Sequence, residues 1–301
     1  MQKAMELQLN QGGLEDVDET EIEIPMRDGH QNKAIVFKDK RATNSRRPLI
    51  VLVYGGGFMA GTIVQLSFVA QPLARLYGAT VVSVSYRLSP EHKFPIPPND
   101  VWDNIEWLSR NATSLGADPL AGFVIGGASA GANLAAVAIQ KAVKTKLSPP
   151  VTGYWSFVPF LLEEEIVPEK YAGFYIARKQ NACAPGLDDA SIKEAIKNYQ
   201  FDVKSPDFSP FNDPASFSGL PRTYVQACGL DPVRDDAIIY AKTLADHEVE
   251  CKLDVYPGVP HGFEGQFTTL KSARQYRIDT LANFGWLLGA TPEMQDIENL
   301  V

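Results

Sequence analysis

The sequence predicts an α/β protein built on a mostly parallel sheet with helices on both faces. Three observations predict it. Continuous apolar runs such as Leu49-Ile50-Val51-Leu52-Val53 read as strands buried on both faces, because a strand with one wet face alternates polar and apolar residues. Longer stretches with helical spacing separate these runs, and alternating strand and helix patterns imply crossover connections and parallel pairing. The third is a serine-bearing turn, Gly126-Gly127-Ala128-Ser129-Ala130-Gly131, set between a strand pattern and a helix pattern.

Composition narrows the function classes. A chain of 301 residues with 45% hydrophobic and 21% charged residues has an ordinary globular makeup, and we expect one domain over residues 1–301. No apolar run reaches the ~20 residues that span a bilayer. Residues 1–10 lack the continuous apolar core of a secretory signal. Three cysteines, odd in number and widely spaced, argue against a disulfide framework and for a reducing, cytoplasmic setting. The net charge of −8 argues against nucleic acid and anionic membranes as partners, which leaves small molecules. The oligomeric state stays open, a homodimer included.

In chain order, residues 1–18 are a polar, acidic lead-in. The alternating stretch 20–24, the turn Arg27-Asp28-Gly29 and the apolar stretch within 33–38 predict a hairpin. After a charged loop at 40–47, the apolar run 48–54 predicts a strand, and Gly55-Gly56-Gly57-Phe58 follows it directly. Consecutive glycines cost backbone entropy unless the backbone itself is needed, and bare N–H groups form an anion-binding concavity. A helix near 65–77 and a strand over 79–85 lead to a proline-bounded loop at 86–95. Pro97-Pro98 then opens a helix whose Val101, Trp102, Ile105 and Leu108 share a face. A strand at 123–125, a buried helix over 130–139 and a strand over 151–157 come next.

The alternation lapses over about 158–217, with acidic Glu163-Glu164-Glu165, scattered aromatics and a helical piece near 188–199. An insertion at that point lies above the carboxyl ends of the strands, where open α/β sheets bind ligands, and reads as a lid. The pattern resumes with a strand over 222–228, a helix over 234–245, a strand over 251–256 and a helix around 270–288. Residues 291–301 form a polar tail with no assigned role.

The turn at Ser129 carries the chemistry. Glycines two residues before and after a serine, between strand and helix, make the sharp turn called a nucleophile elbow. It lifts the serine oxygen clear of the sheet and aims the first helical N–H groups at negative charge forming beside it. A serine needs a base, and four histidines allow elimination. His30 lies in the hairpin turn, His92 in the proline-bounded loop, and His247 ends a helix, where the dipole accounts for it. His261 follows the last strand and therefore leaves the same sheet edge as Ser129. Asp231, three residues past Cys228, meets the same condition, whereas Asp235 and Asp236 read as first-turn helix acids. The order Ser129, Asp231, His261 is that of α/β-hydrolases. The oxyanion formed on attack needs donors, each worth about 3–4 kcal/mol. Ala130 supplies one N–H, and Gly56 and Gly57 can supply others.

Together these segments resemble the hormone-sensitive-lipase family of α/β-hydrolases, which includes many carboxylesterases. The family's His-Gly-Gly-Gly-Phe motif appears as Tyr54-Gly55-Gly56-Gly57-Phe58, and its Gly-Asp-Ser-Ala-Gly-Gly elbow as Gly127-Ala128-Ser129-Ala130-Gly131-Ala132. Its Tyr-Arg-Leu-Ala-Pro-Glu-His segment is here Tyr86-Arg87-Leu88-Ser89-Pro90-Glu91-His92. Asp231-Pro232-Val233-Arg234-Asp235 and His261-Gly262-Phe263 match two further motifs, and the likeness runs from about residue 48 to 288. The resemblance implies Ser129, Asp231 and His261 as a catalytic triad, Gly56, Gly57 and Ala130 as oxyanion donors, and His92 as structural. Tyr54 replaces the family's histidine and Ala128 its aspartate, so both are expected to remove polar braces. The N-terminal segment is short beside the helical cap of many members, which implies a more open site.

The function expected is cleavage of short-chain or aryl carboxylic esters through an acyl-enzyme on Ser129. A second reading keeps the chemistry and makes the protein a tailoring hydrolase, lactonase or acyl transferase of specialised, polyketide-type metabolism. A third is a non-catalytic ligand-binding protein on this scaffold; gibberellin receptors resemble the family but lose the catalytic histidine, and His261 is present. No cofactor is implied, because neither a metal-ligand spacing nor a dinucleotide motif occurs.

Overall fold

Paired tyrosine and tryptophan on one central strand show how the layers are arranged. The computed structural model describes residues 14–43 and 46–301. Its strands are β1 (Val17–Pro25), β2 (Gln31–Asp39), β3 (Leu49–Val53), β4 (Thr80–Val84), β5 (Phe123–Ala128), β6 (Gly153–Phe157), β7 (Arg222–Cys228) and β8 (Cys251–Tyr256). They form one eight-stranded sheet in the order β1-β2-β4-β3-β5-β6-β7-β8. The predicted hairpin is β1 and β2, and β2 joins β4 antiparallel; every pairing from β4 to β8 is parallel. Strands β3 to β6 are buried along their whole length, as their predominantly apolar runs require.

The first helices are α1 (Ser67–Tyr77), α2 (Ile96–Asn111) and α3 (Ala130–Lys144). Two shorter ones, α4 (Ala177–Gln180) and α5 (Asp189–Tyr199), lie in the β6–β7 connection. Then come α6 (Arg234–Asp246), α7 (Phe263–Gln266), α8 (Lys271–Leu288) and α9 (Met294–Glu298). Successive residues on a strand point to opposite faces. On β6, Tyr154 donates its hydroxyl to the Ala132 carbonyl of α3 at 2.6 Å and meets Tyr240 of α6 edge-on. The next residue, Trp155, packs on Phe284 of α8 at 5.4 Å. Helices α3 and α6 therefore cover one face and α8 the other. Helix α1 packs beside α8 and α2 beside α3. Among the described residues no helix is long and apolar enough to cross a membrane.

The connection from β6 to β7, residues 158–217, is held at the carboxyl edge of the sheet. Asn133 of α3 donates to the carbonyls of Phe160 and Phe208 at 2.7 Å each. Tyr199, which ends α5, stacks on Phe58 at 4.0 Å, beside the glycine loop.

Two expectations need correction at the chain ends. The lead-in was expected to run through residue 18, but β1 already begins at Val17, pairing with Asp39. Residues 1–13, on which the shortened N-terminal cap was expected, lie outside the described residues. The tail also has a role: α9 buries Ile297, which is 1% exposed, in the hydrophobic core beside α8. Five helical residues are too few to display a period in sequence. Ile297→Ala is expected to lower unfolding free energy by about 2–3 kcal/mol, the lower part of the range for buried isoleucine truncation, in urea denaturation, with ester turnover unchanged at 25 °C.

Candidate active site

Ser129 joins β5 to α3 with φ 55° and ψ −120°, a left-handed conformation that costs a non-glycine residue about 1–3 kcal/mol. Its surroundings hold it there. The Ser129 N–H donates to the Phe157 carbonyl at 2.8 Å, and its carbonyl accepts the Asn133 N–H at 3.1 Å. The flanking glycines are steric requirements. A Cβ on Gly127 would lie 2.4 Å from the Gly131 carbonyl oxygen, and one on Gly131 would lie 2.2 Å from that of Val53.

The loops after β7 and β8 bring the other two residues to Ser129. His261 Nε2 lies 3.0 Å from Ser129 Oγ, and His261 Nδ1 lies 2.6 Å from Asp231 Oδ2. A carboxylate only accepts, so Nδ1 carries the proton and Nε2 is left as the acceptor facing Ser129. Asp231 is fully buried, and its Oδ1 accepts the Val233 N–H at 2.9 Å. Burial pulls the His261 pKa down. The charge and hydrogen bond of Asp231, with help from Glu264, outweigh burial and an opposing contribution from Arg178, so the net shift is upward from the ordinary 6.5.

The glycine loop crosses directly over the elbow. A Cβ on Gly55 would sit 2.7 Å from the Ala128 carbonyl oxygen and 3.1 Å from Ser129 Cβ. Gly56 and Gly57 have φ values of +134° and +62°, and the Gly56 carbonyl accepts the N–H groups of Met59 and Ala60. Among the described residues, the N–H groups of Gly56, Gly57 and Ala130 have no protein acceptor. All six residues singled out in the sequence thus lie at one edge of the sheet.

The structure corrects the expectation for Tyr54. Its hydroxyl donates to the Tyr86 carbonyl at 3.2 Å, the Tyr86 hydroxyl donates back to the Tyr54 carbonyl at 3.0 Å, and the rings stack at 4.6 Å. Burial pushes the Tyr54 hydroxyl up to about 12, so it stays a donor. Tyr54 is therefore itself a polar brace at the root of the glycine loop. Ala128, buried beneath that loop, contributes no side-chain hydrogen bond.

Several residues near the site went unread in the sequence. Asp235 and Asp236 stand in the first turn of α6 as expected, and they also cap the β6–β7 connection. Asp235 Oδ2 accepts the N–H groups of Ile176 and Ala177 at 2.7 and 2.6 Å. Asp236 Oδ1 accepts those of Leu161 and Leu162 at 2.8 Å each. Arg178 lies over the Phe160 ring at 4.7 Å and donates to the Leu162 carbonyl at 2.8 Å. Burial pushes the Glu264 carboxyl up to about 7. Only the paired aspartates left a signal, an acidic first turn whose partners lie far along the chain.

Residues 50–265 match the family described as alpha/beta hydrolase fold, a span that holds the glycine loop, the elbow, Asp231 and His261. The chain belongs to that family. This α/β hydrolase is 35% identical over 282 residues to an AB hydrolase superfamily protein of Schizosaccharomyces pombe, covering 94% of this chain and 83% of that one. It is 32% identical over 279 residues to the versiconal hemiacetal acetate esterase of Dothistroma septosporum, covering 91% and 82%. The solved structure of vibralactone cyclase matches it with a TM-score of 0.86 at 28% identity, covering 96% of this chain and 85% of that one. With further relatives named carboxylesterase and esterase, these bear out the resemblance to the hormone-sensitive-lipase family, and the hydrolase is a carboxylic ester hydrolase.

Tyr54→Phe leaves the buried Tyr86 carbonyl without its donor. It is expected to cost about 1–2 kcal/mol of stability by chemical denaturation and to lower kcat several-fold as the glycine loop loosens.

Proposed function

We propose that Ser129 is the nucleophile of this ester hydrolase, His261 its general base and acid, and Asp231 the carboxylate that orients His261. The observation that carries the reading is the continuous chain from Asp231 Oδ2 through the imidazole to Ser129 Oγ, at 2.6 and 3.0 Å. His261 Nε2 takes the Oγ proton as Oγ attacks the ester carbonyl carbon. The carbonyl oxygen becomes an oxyanion received by the N–H groups of Gly56, Gly57 and Ala130. The C–O bond to the alcohol breaks, the alcohol leaves with the proton from Nε2, and an acyl-enzyme remains on Ser129. Water, deprotonated by Nε2, then releases the acid and restores Oγ–H.

On this reading residues 158–217 are the lid. Their aromatic rings supply an apolar wall: Phe160 meets Phe58 of the glycine loop at 6.2 Å, and Phe201 stacks on Phe208 at 3.7 Å. Such a wall suits short-chain or aryl acyl groups of small-molecule esters. The free cysteines Cys183, Cys228 and Cys251 support a reducing, cytoplasmic setting.

A second reading is favoured by the likeness to a versiconal hemiacetal acetate esterase and to vibralactone cyclase: a tailoring enzyme acting on an ester or lactone of a polyketide-type product. A screen of p-nitrophenyl acyl chain lengths beside acetylated aromatic polyketides separates the two. Brisk turnover of the simple esters alone rules the second out. The ligand-binding reading has the aligned Ser129 and His261 against it, and fluorophosphonate labelling of the native chain excludes it.

Ser129→Ala is expected to abolish p-nitrophenyl acetate turnover; unchanged turnover sinks the triad reading. Only neutral His261 accepts a proton, and its pKa is raised, so kcat/KM is expected to climb with pH through a limb above 6.5. Asp231→Asn removes the main groups raising that pKa while burial still lowers it. The limb is therefore expected to move to lower pH, and the plateau to fall by about 10⁴-fold, read from pH–rate profiles.

A further inference from the structure

One short stretch of the β6–β7 connection touches the backbone of both Asp231 and His261. Asn181 is nearly buried, and its Nδ2 donates to the Asp231 carbonyl at 3.0 Å while also reaching the Gly229 carbonyl at 3.4 Å. Five residues on, the Cα of Gly186 is pressed against His261. A Cβ there would lie 2.6 Å from the His261 carbonyl oxygen, and the φ of +86° adds a second demand for glycine.

The stretch is held from within and from behind. Ala184 N–H donates to the Asn181 carbonyl at 3.0 Å, and Asp189 N–H to that of Ala182 at 2.9 Å. Asn181 N–H donates to the Ala177 carbonyl at 2.9 Å, and the Ala177 N–H is itself held by Asp235 on α6. Asp231 and His261 ride on separate loops, tied to each other by the Leu230 N–H on the Val259 carbonyl at 3.0 Å and by their own side-chain hydrogen bond at 2.6 Å. The sheet alone does not set their mutual position.

We propose that residues 181–186 clamp the acid–base pair, with Asn181 and Gly186 as positioning residues that hold Asp231 and His261 through their carbonyl groups. The proposal rests on the triad reading above. A positioning error near 1 Å costs on the order of 10²-fold in rate, so the grip on two carbonyls bears on catalysis even though neither residue touches substrate. The same connection also borders the glycine loop: Ala195 Cβ lies 3.5 Å from where a Cβ on Gly57 would be.

The test uses the full chain with Asn181→Ala and with Asn181→Leu, which keeps the volume but cannot donate. One readout is the far-downfield proton resonance of His261 Nδ1–H, which requires no turnover. The other is kcat and KM for p-nitrophenyl acetate. Both variants are expected to shift or broaden the resonance and to lower kcat by about 10–100-fold, with KM within about threefold. Gly186→Ala is expected to do the same from the His261 side. Ile297→Ala serves as the control, because Ile297 packs in the core beside α8, away from the connection and the triad. If the Asn181 variants keep the wild-type resonance and kcat within twofold, or if Ile297→Ala reproduces their losses, the clamp is overturned. Failure of the triad reading looks different: Ser129→Ala retains turnover, whatever the resonance does.

Discussion

The close approach of α3 to the end of β3 is the constraint on which the site depends. Gly131 lets the first turn of α3 come so near that a Cβ would overlap the carbonyls of Val53 and Tyr54. That contact forces Ser129 into its left-handed turn and places the glycine loop over it. The N–H groups of two sequence-distant segments, the glycine loop and the start of α3, are thereby brought to one place. The strain at Ser129, about 1–3 kcal/mol, is offset by the Phe157 and Asn133 hydrogen bonds, each worth roughly 1 kcal/mol, and by packing around the turn.

A second constraint is electrostatic. An ionised carboxylate as deeply buried as Asp231 is tolerated only when its oxygens are satisfied. Here Val233 N–H takes one oxygen and His261 Nδ1–H the other, so the fold keeps the charge by spending both oxygens on positioned donors. Burial pulls the histidine pKa down and that carboxylate pulls it up, and the net shift is upward from the ordinary 6.5.

The elbow, the glycine loop and the sheet edge shared by Ser129, Asp231 and His261 were legible because each is written in a contiguous segment whose local geometry dictates residue type. The parallel sheet was legible for the same reason, since burial on both faces leaves an unbroken apolar run. What escaped are partnerships. Tyr54 looked like a lost brace because its partner, Tyr86, is 32 residues away. Asp235 and Asp236 looked like dipole acids because the N–H groups they cap are 58 to 75 residues distant. Asn181 left no signal at all, since a single asparagine in an irregular stretch has no period and no motif. Sequence patterns report which chemistry a position tolerates; only the fold says which group it meets.

These missed partnerships share a physical logic. Apart from the Tyr54–Tyr86 pair, each ties the β6–β7 connection to a segment beside Ser129, Asp231 or His261. Asn133, one turn after Ser129 on α3, holds the carbonyls of Phe160 and Phe208 and so fixes the aromatic wall to the helix that follows Ser129. Asp235 and Asp236, just past Asp231, fix residues 176–177 and 161–162 of the connection to α6. The wall is therefore referenced to the serine and the acid rather than to the bulk of the sheet. A change of side chain on the wall can alter which acyl group fits without moving Oγ, Nε2 or the carboxylate. A change at the anchors moves all of them together. Shape selection and proton transfer are thus separable at the rings and inseparable at the polar ties, and that division follows from where the buried hydrogen bonds lie.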